Sequence, residues 1–195
     1  RLRKNSLWKR CKMNSKTDNK LKANEAMLRD KFMLEQVWMM CWNASVQRGN
    51  LYRNNCDERE KKKFRKELIQ FITINIIPAY EKALVNEERH YSHLERIIDR
   101  ANQLGHTVLK SPGYKAGVAQ KLLNLALKYY WCLGKITQPP HCPIDSIILH
   151  EAGINDVSWI NIFSINEYKK VIERVKIEIG DNDLSPWELE NYHPN

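Results

Sequence analysis

Residues 111–149 read SPGYKAGVAQKLLNLALKYYWCLGKITQPPHCPIDSIIL: a turn, an apolar helix, a proline-rich loop and one acidic residue entering a second apolar run. Val118, Leu122, Leu125, Ala126 and Tyr129 recur at the three-and-four spacing of one helix face, and Leu123, Leu127 and Tyr130 widen it. The spacing predicts a mostly buried helix. Lys121 and Lys128 lie seven residues apart, two turns along a single face, and a lysine in so apolar a helix either snorkels its charge to water or sits in a cleft. Gly134 stops the helix, and Pro139, Pro140 and Pro143 make the segment from Gly134 to Pro143 a rigid loop. Asp145 then stands at the cap or first turn of the next helix, where unpaired backbone N–H groups favour a carboxylate. That position suits a plain N-cap and, equally, a catalytic carboxylate held above a cleft.

Upstream, Asn24 to Val46 carries Ala26, Met27, Phe32, Met33, Val37, Met40, Cys41 and Ala44 at helical spacing, with Trp38 and Trp42 four apart, a stripe expected to face a core. A polar connector, Gln47 to Asn55, leads to Asp57, a candidate cap. The helix after it joins a basic run, Arg59 to Lys66, to an apolar face of Phe64, Leu68, Phe71, Ile72 and Ile76, ending or kinking at Pro78. Ala79 to Leu104 predicts a further helix with Tyr80, Leu84, Leu94, Ile97, Ile98 and Ala101 inward and His90 and His93 at the surface. Downstream, Ala152 to Trp159 is a connector. Ser164 and Glu167 have capping-box spacing before a helix to Ile179, and Pro186 opens a short terminal helix docked through Trp187 and Leu189. Alternating segments are few, so the expected fold class is all-α: one helical domain over residues 23–195 behind a basic, flexible arm at 1–22 that folds on DNA.

Charge is distributed unevenly: residues 1–66 hold 19 Lys/Arg against 7 Asp/Glu, whereas the remainder hold 13 against 16. A basic third of this kind is the footprint of a surface that meets phosphates, and Lys61, Lys62, Lys63, Arg65 and Lys66 are its densest part. The five cysteines show no disulfide framework, and no apolar run reaches the length of a membrane span. Together these features lead to the expectation of a reduced, cytoplasmic or nucleoid-associated monomer that binds DNA, with no membrane partner, metal or cofactor. A zinc set of Cys132, His141, Cys142 and His150 competes, but its spacing is not that of paired ligands.

The run Gly117-Val118-Ala119-Gln120-Lys121, the apolar helix, and Pro143-Ile144-Asp145 entering another helix resemble the helix-hairpin-helix DNA glycosylases, particularly the 8-oxoguanine glycosylases and their archaeal relatives, over about forty residues. The resemblance implies an all-α enzyme that releases a damaged or modified base from DNA, in repair or in defence against phage DNA. It implies a catalytic lysine at Lys121 and aspartate at Asp145, with Lys128 as the substitute nucleophile, and a hairpin contact to DNA at Gly117 and Gln120. Base release requires a flipped nucleotide, a lysine of lowered pKa to attack the sugar, and a carboxylate to stabilise its positive charge. Tyr129, Tyr130 and Trp131 are then candidates for stacking on the flipped base. A helical DNA- or protein-binding module without catalysis, in which Asp145 is only a cap, remains the alternative.

Overall fold

A computed structural model describes the backbone of residues 4–192, with side chains from residue 21. The chain is all-α: α1 (Lys4–Trp42), α2 (Glu58–Asn75), α3 (Ile77–Lys82), α4 (Glu87–Leu104), α5 (Ala116–Cys132), α6 (Ser146–Glu151), α7 (Ile165–Ile179) and α8 (Leu184–Asn191). A π-helical turn, Asn43–Gln47, follows α1, and a 3₁₀ turn, Trp159–Asn161, precedes α7. Among the described residues, extended pairing is confined to one antiparallel bridge between Tyr52 and Leu109.

The chain divides into two compact units, residues 1–39 and 40–195, with the boundary inside α1. The first is helical from Lys4, well before the expected start at Asn24. The expectation of a basic arm over residues 1–22 rests on side chains that, for 1–20, lie outside the described residues. Met27, Phe32 and Met33, expected to face a core, are exposed, because a lone helix has no second element of its own unit against which to bury a stripe.

In the second unit α5 is the central element. It packs against α4, α7, the π-helical turn and the 3₁₀ turn, while α2 lies on α3 and α4, and α8 on α6 and α7. Val118, Ala119, Leu122, Leu123, Ala126 and Leu127 are all fully buried, so α5 is apolar nearly all round, as its sequence demands. Each such leucine contributes roughly 1.5–3 kcal/mol of transfer free energy.

Local capping sets most boundaries. Asp57 accepts from Arg59 N at the start of α2, and Ser164 with Glu167 forms a reciprocal capping box on α7. The helix expected over Ala79 to Leu104 is instead two: Ala83 is fully extended, Asn86 caps α4 through Arg89 N, and Leu84, expected inward, is exposed in the break. The terminal helix docks through Leu184, Ser185 and Glu188, whereas Leu189 points to solvent.

His90 and His93, expected at the surface, are buried. The Tyr80 hydroxyl lies 2.7 Å from His90 Nδ1 and 3.0 Å from His93 Nδ1, so it donates to one ring and accepts from the other on the inner face of α4. His141 joins this cluster: its Nδ1 is 3.0 Å from the Tyr168 hydroxyl and its Nε2 3.3 Å from Glu87. Burial lowers the pKa of all three imidazoles, His93 to about 4. Of the other residues of the competing zinc set, Cys142 is buried while Cys132 and His150 are exposed, and among the described residues no three His, Cys, Asp or Glu gather to hold a metal.

Candidate active site

Gln120 begins the construction of the site. It is fully buried on α5, and both ends of its amide bind one backbone unit: Nε2 donates to Ile144 O at 2.7 Å and Oε1 accepts from Ile144 N at 3.0 Å. Asn124, one turn on, donates to Cys142 O at 2.9 Å. Two α5 side chains thus fasten the rigid loop 142–144 against the helix and fix where the next residue stands. That residue is Asp145, the N-cap of α6, whose Oδ1 accepts from Ile147 N at 3.0 Å and Ile148 N at 3.1 Å.

The other carboxylate oxygen faces Lys121, with Nζ 3.1 Å from Oδ2. The lysine is buried, only 4% exposed, so it lies in the interior and not on a wet helix edge. Desolvation lowers its pKa; the Asp145 carboxylate opposes this and the Arg48 guanidinium adds to it. The Trp159 indole covers the ammonium, 4.3 Å from Nζ to the ring centroid.

Gly117 makes room for that cover. A Cβ there would lie 1.8 Å from Trp159 O, and the Gly117 N–H donates to Ile162 O at 2.9 Å. The polar groups of Gly117 and Gln120, expected to contact DNA, are instead taken up within the chain, by Ile162 O and by the Ile144 backbone. These contacts hold the 159–163 segment and the residue before Asp145 against α5.

Lys128, two turns along α5 from Lys121, has its own carboxylate: Glu188 Oε1 lies 2.5 Å from its Nζ, and the Tyr192 ring centroid 4.6 Å away. Glu188 is buried, and desolvation raises its carboxyl pKa, with Lys128 opposing and Asp145 adding to the rise. The pKa of Tyr192 is raised by burial and, secondarily, by Asp145 and Glu188. The two lysine–carboxylate pairs are therefore parts of one charged cluster spanning α5, the cap of α6 and α8. Sequence reading overlooked Glu188, Tyr192, Trp159 and Arg48. The sequence reading gives the terminal helix a docking role, and its i, i+4 pair of Glu188 and Tyr192 is the signal there for the cluster.

Of the stacking candidates, Tyr130 is buried in the core, whereas Tyr129 and Trp131 are half-buried; burial raises the Tyr129 pKa, and the Glu188 carboxylate adds to the rise. In the basic run, Lys61, Lys62 and Arg65 line one cleft, while Lys63 and Lys66 are exposed outside its lining. No helix among the described residues is long and apolar enough to cross a membrane.

A buried lysine of depressed pKa in contact with a carboxylate, roofed by an indole, is suited to nucleophilic attack at a centre that develops positive charge. In comparisons with known proteins the chain matches no family model, no curated protein and no solved structure, so this chemistry is read from its own residues alone.

Proposed function

We propose that the chain is a DNA glycosylase releasing a damaged or modified base from DNA, with Lys121 as nucleophile and Asp145 as the electrostatic and proton-accepting partner. The observation that carries this reading is the 3.1 Å contact between Lys121 Nζ and Asp145 Oδ2 inside a desolvated site. The ammonium must lose a proton to attack, and Asp145 is the acceptor already in place. Desolvation, which lowers the lysine pKa, makes that proton easier to remove. The amine lone pair then forms the bond to C1′ while the glycosidic bond breaks, its electron pair leaving with the base, which takes the proton that Asp145 accepted. The nitrogen then gives up a proton through Asp145 to the ring oxygen as the C1′–O4′ bond breaks, and its lone pair closes the C=N bond of a Schiff base on Lys121. Repair of damaged bases and defence against modified phage DNA call for the same two groups and differ in the pocket around them.

The test is incubation with a panel of duplexes carrying damaged or naturally modified bases, scored for free base by mass spectrometry, with borohydride added to trap the Schiff base. Release of no base from any duplex, with DNA binding intact, would favour the second reading, a helical DNA-binding module. That reading draws on the Asp145 cap, whose bonds to Ile147 and Ile148 give the carboxylate a structural role without chemistry.

A further inference from the structure

The π-helical turn Asn43–Gln47 and the first turns of α2 enclose a cleft of about 300 Å³, away from the Lys121–Asp145 pair. That volume is at the lower end of the range for ligand sites, about 300–1,000 Å³, and suits a single nucleotide unit. Its wall on α2 is cationic. Lys61 is paired with Glu58 at 2.7 Å, whereas Lys62 and Arg65 have no carboxylate partner among the described residues. The opposite wall is aromatic: Tyr52 is half-buried, with Lys61 Nζ 5.4 Å from its ring centroid, and Trp42 stands behind, both rings wedged edge-on against Phe64. Asn43 and Gln47 supply exposed amides from a turn wider than an α-helix, an irregularity concentrated at functional sites.

Asn43 and Gln47 also border a second opening, which they share with Met40, Ala44 and Arg48. Arg48 is the residue whose charge reaches Lys121. One turn therefore connects the cationic cleft, through Arg48, to the catalytic pair. Cations, an aromatic face and amides in one cleft match a phosphate, a base and its edge, the components of single-stranded nucleic acid recognition.

We propose that this cleft is a nucleotide subsite for the DNA strand: Lys62 and Arg65 hold a phosphate, and Tyr52 stacks on a base adjacent along the strand to the nucleotide presented to Lys121 and Asp145. The proposal rests on the glycosylase reading for its substrate and adds a second point of strand contact.

The experiment measures binding of a fluorescein-labelled single-stranded DNA oligonucleotide by anisotropy across a salt series, with the full chain carrying Asp145→Asn so that base release is slow on the scale of the measurement. Adding Lys62→Gln and Arg65→Gln together is expected to weaken binding at least tenfold and to reduce the slope of log K against log salt by about 0.7, the value for one lost phosphate contact on a single strand. Lys63→Gln with Lys66→Gln removes the same charge outside the cleft and is expected to have the smaller effect on both. Tyr52→Leu is expected to weaken binding about tenfold with the slope unchanged, and thymidine 5′-monophosphate to displace the oligonucleotide better than inorganic phosphate. Equal effects of the two double variants, an inert Tyr52→Leu, or equal displacement by inorganic phosphate would each overturn the subsite. Circular dichroism confirms that these surface variants keep the fold. Free base released by the parent chain alongside an inert cleft sinks the subsite alone, and a responsive cleft with no base released from any duplex sinks the glycosylase reading alone.

Discussion

Asp145 divides its two oxygens between two tasks: Oδ1 caps α6 through Ile147 and Ile148, and Oδ2 meets the Lys121 ammonium at 3.1 Å. The cap fixes the carboxylate so that its second oxygen has one direction left to face, and Gln120 fixes the backbone just before it. Structural and chemical roles are thus assigned to different atoms of one side chain and respond to different substitutions.

Asp145→Asn keeps an oxygen for the cap and loses the charge, so base release is expected to fall at least a hundredfold while the helix start survives. Asp145→Ala loses the cap as well and is expected to be less stable than Asp145→Asn by about 1 kcal/mol. Urea unfolding alongside single-turnover base release checks both, and equal stability of the two variants would remove the cap from the account.

Lys121→Gln is expected to abolish the borohydride-trapped adduct, whereas Lys128→Gln is expected to retain it, because Lys128 is held by Glu188. Denaturing gel electrophoresis of the trapped mixture reads this directly. An adduct that survives Lys121→Gln and disappears in Lys128→Gln would transfer the nucleophile to the second pair.

Gly117→Ala places a methyl group against the Trp159 carbonyl, so the 159–163 segment must move. The expected cost is about 1–3 kcal/mol of stability, as for other overpacked sites, with loss of the indole cover over Lys121. A melting temperature within a degree of the parent would show that the backbone there yields freely.

Acid is expected to destabilise the fold in two steps. His93 has a folded pKa of about 4 against an unfolded value near 6.5, so the unfolded chain takes up its proton first. The stability of keeping it neutral is therefore full above pH 6.5 and is lost as pH falls towards 4, a change on the order of 3 kcal/mol. His90 and His141 shift in the same direction. Glu87, lowered to about 2 by His141 and Lys176, adds a loss between its unfolded value near 4.5 and pH 2. Melting temperatures from pH 8 to 3 should fall from about pH 6.5 downward, and His93→Gln should reduce proton uptake on unfolding at pH 5 by about one. A curve flat to pH 4.5 would contradict the burial of neutral imidazoles.

The sequence by itself determined what depends on neighbours a few residues apart. The apolar periodicity of α5, the Asp57 and Asp145 caps, the Ser164–Glu167 box and the stop at Gly134 are local matters of spacing and capping, and they were legible without coordinates. Periodicity also put Lys121 and Lys128 on one face, but it left open whether that face was wet. Only the tertiary structure decided this, because the deciding partners are remote in the chain: Asp145 lies 24 residues from Lys121, and Glu188 lies 60 from Lys128. The same holds for Gln120 and Gly117, polar or small residues whose partners are backbone atoms of distant segments, which no side-chain pattern encodes. His90 and His93 read as surface residues for want of a nearby acid or cysteine, yet both are buried with their Nδ1 atoms on one hydroxyl, that of Tyr80 on the preceding helix.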